Sequence, residues 1–359
     1  MKKINFDKAL KKHFKNKTIL ITGHTGFVGS WVTYYFTKLG CKVTGISSSK
    51  IEKNNLFELL KIKNNVNHYS FDLCKKKKFF KISQKKFDVV LHLAAKPLVL
   101  EGINEPDNYI KNNILSSLNI FNQIKRGKLF INFTTDKVYK NKDKQNYSYK
   151  ENDELGGEDP YSYSKTCSDM LTKVWSKIDL NKNKKFCNIR SGNIIGGGDW
   201  NKKRIISDII ALIFNNKKLF VRNKNSTRPW VHIIEVCICL SKLILKLEKN
   251  KSKYSEWNIG PNKNDEKNIH WIIKESLNLT NNNKLYKKVL FPKKKGFKEK
   301  NYLRLNNTKL KKEINFNFKL KFYQRLKMTL EWYSGFFKDK TNLENIVIKQ
   351  VNYVLKYSK

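Results

Sequence analysis

The stretch Thr18-Ile-Leu-Ile-Thr22, followed by Gly23-His-Thr-Gly26-Phe-Val-Gly29-Ser-Trp31, decides the fold of this chain. Its first five residues are apolar or β-branched and predict a short buried strand, and the pattern after the glycines predicts a helix through Leu39. In such a unit one glycine permits a tight turn, one lets the backbone approach a pyrophosphate, and one lets the helix pack on the strand. The helix N-terminus then faces the phosphates of a dinucleotide. A glycine turn that only joins a strand to a helix is the plainer alternative.

Four more apolar segments follow at the spacing of alternating strands and helices. They are Cys41–Ile46, Phe87–Leu93, Leu129–Phe133 and Phe186–Arg190. We therefore predict an α/β fold, with a doubly wound parallel Rossmann sheet and a smaller C-terminal α/β domain. The expected boundaries are 1–16 for a basic N-terminal extension, 17–190 for the Rossmann domain with the catalytic residues, and 191–359 for a mostly substrate-binding domain partly interleaved with the first. A length of 359 residues agrees with two domains.

The composition is strongly basic, with a formal net charge of +44, which suggests a nucleic acid, an anionic membrane or an acidic substrate. Only seven of the 74 basic residues are arginine, although base and phosphate recognition favours the arginine fork. We therefore expect the lysines to form mainly a solvated surface, with neither nucleic acid nor membrane as a partner. The six cysteines lack C-x-x-C spacing, so we expect reduced thiols and no metal site. We expect a cytoplasmic protein because no apolar run could cross a bilayer and the N-terminus lacks an apolar signal core.

The end of the second predicted strand lacks the acidic residue that usually holds the adenosine ribose of a dinucleotide. This segment reads Ser47-Ser-Ser49-Lys50, and Lys50 could accept a 2′-phosphate. The local sequence therefore leaves NAD and NADP both open.

The segment Asp159-Pro-Tyr161-Ser-Tyr-Ser-Lys165 predicts the start of a helix, with proline in its first turn and Tyr161 and Lys165 on one face. An ammonium beside a phenol favours the phenolate, which is the base needed to take a hydroxyl proton while hydride leaves the same carbon. The pairs Tyr34/Lys38 and Tyr323/Lys327 have the same spacing and are expected to be helix surface pairs. Only the Tyr161/Lys165 pair follows a strand whose carboxyl end would present it to the cofactor.

A polar segment, Thr134-Thr-Asp-Lys137, follows the strand predicted at Leu129–Phe133. Polar side chains at the carboxyl end of a parallel strand are well placed for chemistry. Turn residues that merely close the strand are the alternative.

With these residues assembled, the chain resembles the extended short-chain dehydrogenases, and within them the CDP-glucose 4,6-dehydratases, from about Lys17 to Tyr333. The related dTDP-glucose and GDP-mannose enzymes usually have Thr-Asp-Glu where this chain has Lys137. The resemblance implies NAD as cofactor, a nucleotide sugar as substrate, a homodimer or higher homo-oligomer, and a role in deoxysugar biosynthesis for surface polysaccharide such as lipopolysaccharide. The motifs that carry it are Gly23–Trp31, His92–Val99, Thr135–Lys137, Glu151–Tyr161, Arg190–Trp200 and Thr227–His232.

The resemblance also implies catalytic roles. Tyr161 would take the C4 hydroxyl proton, with Lys165 as its electrostatic partner and ribose ligand, and Thr135 would hold the hexose. Lys137 would remove the C5 proton while Asp136 protonates the leaving C6 hydroxyl. Asp136 must therefore hold a proton near neutral pH and Lys137 must lose one, which requires surroundings that shift both pKa values.

Binding residues are implied in the same way. Cofactor contacts fall on Gly23, Thr25, Gly26, Phe27, Gly29, Asp72, Leu93, Ala94, Ala95, Tyr161 and Lys165, and substrate contacts on Asn193, Arg204, Arg228 and His232. Three of these have plainer alternatives, since Arg204 could form a solvent ion pair, Asp72 could cap a helix and His232 could only pack.

The chain departs from the family pattern at Val28, Lys96 and Asn306, where the CDP-glucose branch often has lysine, glutamine and aspartate. These changes keep open another nucleotide hexose, such as dTDP-glucose, GDP-mannose or a UDP-sugar. A cofactor-sensing nucleic-acid-binding protein and an inactive homologue are alternatives of other classes.

Overall fold

The computed structural model describes residues 3–48, 51, 54–178, 183–292 and 300–357. Its helices are α1 Lys8–Phe14, α2 Phe27–Lys38, α3 Leu56–Leu59, α4 Val99–Asn104, α5 Pro106–Gln123, α6 Pro160–Trp175, α7 Ile205–Asn215, α8 Ile233–Lys249, α9 Ile269–Leu279, α10 Thr308–Ile314, α11 Phe322–Lys338 and α12 Leu343–Tyr357. Its strands are β1 Thr18–Thr22, β2 Lys42–Ser47, β3 Val66–Ser70, β4 Lys86–His92, β5 Arg126–Thr135, β6 Lys185–Ser191, β7 Asn193–Ile195, β8 Leu219–Phe220, β9 Thr227–Arg228, β10 Trp230–His232, β11 Tyr254–Ile259, β12 Lys267–Asn268 and β13 Val289–Leu290.

A seven-stranded parallel sheet lies at the centre, in the order β11-β6-β5-β4-β1-β2-β3. This confirms the predicted α/β fold with a doubly wound sheet. The strand order reverses at β1, where Thr22 aligns with Ile46 of β2 and His92 of β4. In open α/β sheets ligands bind outside the carboxyl ends of the strands at such a reversal.

Apolar side chains of the sheet alternate between two cores because successive residues of a strand point to opposite faces. Ile19 and Ile21 of β1 belong to the larger core, which includes residues of α2 and α8. Leu20 belongs to the second core, which includes Phe121 of α5. Both faces of the sheet are therefore covered, as parallel sheets require.

The prediction located five of the seven strands and missed β3 and β11. Consequently Leu129–Phe133, the fourth strand of the prediction, belongs to β5. β11 comes from within residues 191–359 and pairs with β6, so the second half of the chain completes the sheet of the first.

The N-terminal residues pack against the remainder of the chain. Phe14 of α1 is fully buried, and the rings of Phe6 and Tyr35 meet edge to face with centroids 5.2 Å apart. His13 and Lys17 both contact the Glu248 carboxylate, at 2.6 and 2.7 Å. In the parts of the chain that the structure describes, no helix has the length and apolar character needed to cross a membrane.

Candidate active site

The glycine turn joins β1 to α2 with the close contacts that the sequence predicts. Gly23 has a φ of 68°, in the left-handed region, and a Cβ there would lie 2.8 Å from the Ala94 Cα. A Cβ on Gly29 would lie 2.0 Å from the Gly23 carbonyl oxygen, so only glycine lets α2 pack on the turn. Among the described atoms, a Cβ on Gly26 would meet the Gly23 oxygen alone, at 3.3 Å. The N-terminus of α2 is therefore open beside Gly26.

This turn fits the pyrophosphate of a dinucleotide, because the N-terminus of a helix offers unpaired N–H groups and a favourable dipole to an anion. Thr25 is buried behind the turn, where its hydroxyl donates to Ser47 Oγ at 2.7 Å and its carbonyl accepts from the Asn55 side chain. Phe27, the first residue of α2, is also buried. Two of the predicted cofactor residues thus support the turn from within the fold.

Asp72 follows β3, and its Oδ1 accepts from the Cys74 N–H at 2.9 Å. It therefore closes a turn at the carboxyl edge of the sheet, while an adenine contact stays a prediction. Lys50, considered above as a partner for a 2′-phosphate, lies outside the described residues together with Ser49.

Helix α6 begins with the proline that the sequence predicts in its first turn, and Asp159 is its N-cap. Tyr161 and Lys165 both line a large cavity. Burial raises the pKa of Tyr161 to about 12, opposed by a hydrogen bond from Thr135 and by the charge of Arg204. Lys165 donates from Nζ to the Phe133 carbonyl at 2.9 Å, and burial lowers its pKa to about 8.

Thr135, Asp136 and Lys137 stand where β5 ends and a single 3₁₀ turn begins. The Thr135 hydroxyl donates to Asp136 Oδ1 at 2.9 Å. Asp136 is 1% exposed, and burial raises its pKa against the opposing charges of Lys137 and Arg228. Asp136 therefore holds a proton more readily than an ordinary carboxyl, as a general acid requires. Lys137 is partly exposed and lines the cavity.

The cavity has a volume of about 750 Å³ and lies at the carboxyl ends of β4, β5 and β6. It brings together predicted residues from distant parts of the sequence. Those that line it are Leu93, Ala95, Thr135, Lys137, Tyr161, Lys165, Asn193, Arg204 and Arg228. Asp136 is not among the lining residues and is connected to the cavity by its hydrogen bond with Thr135.

The predicted substrate residues have different surroundings. The Arg228 guanidinium is buried and donates to three backbone carbonyls, those of Thr227, Lys300 and Asn301, at 2.7–3.1 Å. Arg204 forms an ion pair with Asp199 at 3.1 Å and also lines the cavity. The ion pair named as the alternative is therefore present, and it leaves Arg204 at the cavity.

His232 lies away from the cavity lining. It is fully buried, and its Nδ1 accepts from the Ile234 N–H at 3.3 Å, which caps α8. A direct substrate contact from His232 would require this buried cap to open, because the ring is enclosed by the fold.

Several basic residues at the cavity mouth were not predicted. Lys202, Lys203, Lys217, Lys218 and Arg222 line it and are exposed, beside the 61% exposed ring of Phe220. Lysine is so abundant throughout the chain that these positions carried no signal of their own. Within the described ranges, no group of three or more His, Cys, Asp or Glu side chains is placed to hold a metal ion.

Comparisons with known proteins identify relatives of this chain. Residues 19–260 match the model of the NAD dependent epimerase/dehydratase family. The CDP-glucose 4,6-dehydratase of Salmonella typhimurium is 28% identical over 344 residues, which cover 93% of this chain and 95% of that protein. The dTDP-D-glucose 4,6-dehydratase of Dictyostelium discoideum is 30% identical over 247 residues, 64% of this chain and 56% of that protein.

A solved structure shares the fold. The dTDP-glucose 4,6-dehydratase of Bacillus anthracis, determined in complex with NAD, superposes with a TM-score of 0.75 at 20% identity. The superposition covers 92% of this chain and 99% of that one.

Proposed function

Because the chain belongs to the NAD dependent epimerase/dehydratase family, we propose that it converts CDP-glucose into CDP-4-dehydro-6-deoxyglucose and water. One observation carries the elimination step in particular. The acid candidate Asp136 and the base candidate Lys137 are adjacent at the end of β5, beside the cavity that Tyr161 and Lys165 line. The 28% identity to a CDP-glucose 4,6-dehydratase over 93% of the chain supports the choice of substrate.

The glycine turn and the residues Leu93 and Ala95 would hold the cofactor at the carboxyl edge of the sheet. When bound, NAD would accept a hydride from C4 of the sugar and later return it to C6. Tyr161 takes the proton of the C4 hydroxyl, and positive charge near the phenol favours this transfer. Arg204 already lowers the pKa of Tyr161 against the effect of burial.

The ketone formed at C4 acidifies the proton on C5, which allows elimination. Lys137 removes this proton, while Asp136 gives its proton to the departing C6 hydroxyl and water leaves. The burial that raises the pKa of Asp136 keeps it protonated for this role, and Thr135 connects it to the cavity.

The diphosphate of the substrate would lie against the cations of the cavity. Arg228 and Arg204 are the main candidates, because both line the cavity and carry a fixed positive charge. The exposed lysines at the mouth add attraction for an anionic substrate. The product, a 4-keto-6-deoxy sugar nucleotide, is a precursor of the deoxysugars of surface polysaccharides.

The test is incubation of the full chain with CDP-glucose and NAD in heavy water, followed by mass spectrometry and NMR of the product. We expect loss of one water from the sugar nucleotide and deuterium at C5, because Lys137 would exchange its proton with solvent. The matched variant Lys137→Met should accumulate reduced nicotinamide without a dehydrated product. No dehydrated product from CDP-, dTDP- or UDP-glucose would refute the proposal.

A second candidate substrate is dTDP-glucose, because dTDP-glucose 4,6-dehydratases occur among both the sequence relatives and the solved structures. Comparing kcat/KM for the CDP, dTDP and UDP sugars distinguishes them. A preference for CDP-glucose supports the main proposal, and a preference for another base moves the specificity without changing the reaction.

We also propose that two copies associate through α6. Three large apolar side chains on this helix are more than half exposed, namely Tyr163 at 52%, Met170 at 54% and Val174 at 55%. Light scattering should give the mass of a dimer for the parent chain, and Met170→Glu should shift it towards the monomer.

A further inference from the structure

Asp169 is a buried carboxylate that the proposed reaction does not use. It lies on α6 one turn after Lys165 and is 1% exposed. Arg190 of β6 holds both of its oxygens, with Nε to Oδ2 at 2.9 Å and Nη2 to Oδ1 at 2.7 Å. The Thr134 hydroxyl donates to Oδ2 at 3.1 Å. This carboxylate is therefore fixed in position by two strands of the sheet.

Lys165 is fixed by the same part of the sheet. Its Nζ donates to the carbonyl of Phe133, the residue before Thr134. Residues 133, 134 and 135 thus hold, in turn, Lys165, Asp169 and the acid candidate Asp136. Because residues four apart share one face of a helix, the Asp169 carboxylate and the Lys165 ammonium lie on the same side of α6.

The charges around Lys165 single out Asp169. On β4, burial lowers the pKa of His92 to about 3, so its ring is neutral at physiological pH. At the end of β5, burial raises the pKa of Asp136, and on α6 it raises the pKa of Tyr161 to about 12. Asp169 is the charge that opposes the effect of burial on Lys165.

We propose that Asp169 is a positioning residue for Lys165, supplying the buried negative charge that keeps the ammonium protonated and directed towards the cavity. Arg190 and Thr134 are the groups that hold this carboxylate in its orientation. The inference rests on the role proposed for Lys165 and adds a partner for it from outside the reacting groups. A single carboxylate on the same helix would then set the upper end of the pH range over which Lys165 stays protonated.

The experiment compares pH profiles of the full-length protein and its variants. Asp169→Asn removes the charge and keeps the shape, but leaves Arg190 buried without its partner. The double variant Asp169→Leu with Arg190→Met removes both charges, and such replacement of a buried pair often preserves stability. In Asp169→Asn the alkaline limb of kcat/KM should move to lower pH, and in the double variant, which also removes the positive charge of Arg190, it should move in the same direction by a smaller amount. A movement of one pH unit from a limb near pH 8 would lower activity at that pH about fivefold.

A second readout does not depend on the sugar. NAD affinity, measured by quenching of tryptophan fluorescence across the same pH range, should show the same shift of its alkaline limb, since Lys165 is the proposed ribose ligand. If the alkaline limb of NAD affinity reports the loss of the Lys165 proton, the variant Lys165→Met should not show this limb. A shifted NAD limb without turnover of any glucose nucleotide would refute the proposed reaction and support the role of Asp169.

The matched control is Asp265→Asn, which also removes a carboxylate from a buried arginine, Arg325, in the other half of the chain. It should leave both limbs in place even if it lowers stability. Alkaline limbs that are unchanged in the folded Asp169 variants, or equally changed in Asp265→Asn, would overturn the inference.

Discussion

We predict that a side chain at position 45 of β2, where the chain has glycine, would clash with the imidazole of His24 in the glycine turn. His24 is fully buried, with Nε2 2.7 Å from His68 Nδ1 and its ring edge to face with Phe57 at 5.1 Å. A Cβ on Gly45 would lie 2.2 Å from His24 Cδ2 and 2.4 Å from Cγ. Contacts to His68 and Phe57 hold the imidazole, so it cannot move aside without breaking them.

The magnitude follows from these distances. Forcing a methyl group into a filled core costs about 1–3 kcal/mol. His24→Ala alone leaves a cavity, at a cost of about 2–4 kcal/mol by comparison with other large-to-small core changes. In the double variant the new methyl at position 45 lies in the space that the ring has left. The two changes should therefore offset each other by at least about 1 kcal/mol, in the range seen for side chains in contact.

The assay is urea denaturation of the parent, both single variants and the double variant, followed by tryptophan fluorescence, with a parallel NAD titration. Gly45→Ala should lower the free energy of unfolding. It should also weaken NAD binding, because displacing the imidazole of His24 moves the backbone that follows Gly23 in the glycine turn. Adding His24→Ala should recover part of the stability. An equal cost for Gly45→Ala with and without the imidazole would refute the reasoning.

Three further predictions concern buried ionisable groups. Asp136 must be protonated to act as an acid, so kcat should fall as pH rises through its raised pKa. In steady-state profiles, Asp136→Asn should lower kcat by roughly 10²–10⁴ and should no longer show this fall. Arg325 contacts both Glu235 and Asp265 in the interior, so Arg325→Met should destabilise the fold by about 3–5 kcal/mol in urea denaturation, whereas an exposed lysine such as Lys327 should change little on substitution. His92 and His232 have pKa values lowered by burial to about 3, so the unfolded chain binds more protons below about pH 6.5 and the free energy of unfolding should fall with falling pH, by up to about 1.4 kcal/mol per pH unit for each histidine. Replacing His92 by Asn should reduce that slope.

The local signals in the sequence were sufficient for the unit that begins the fold. The unit of β1, glycine turn and α2 was predicted almost residue by residue, since strand, turn and helix follow each other without interruption. β3 was missed because Val66–Ser70 is polar and only partly buried at the edge of the sheet. β11 was missed because its Tyr-Ser-Glu-Trp-Asn-Ile pattern forms a strand beside β6, whose aligned residues lie 68 positions earlier in the chain, as in the pair Asn188 and Glu256.

The candidate site was predictable where a motif fixes a helix or strand end. The start of α6 and the placement of Tyr161 and Lys165 beside one cavity agree with the expectations from sequence, and Asp136 is buried as its proposed role requires. The Asp169–Arg190 pair could not be predicted, because it joins a helix face to a neighbouring strand and has no local spacing of its own.

The pairing of β11 with β6 has a consequence for synthesis of the chain on the ribosome. Until Tyr254–Ile259 has emerged, β6 is an edge strand with unpaired backbone groups, although the glycine turn and α6 are already complete. Exposed edges of this kind promote pairing with other chains. If the first half of the chain folds before Tyr254–Ile259 emerges, this edge is open to aggregation, and a chaperone that covers it would be most useful at that stage of translation.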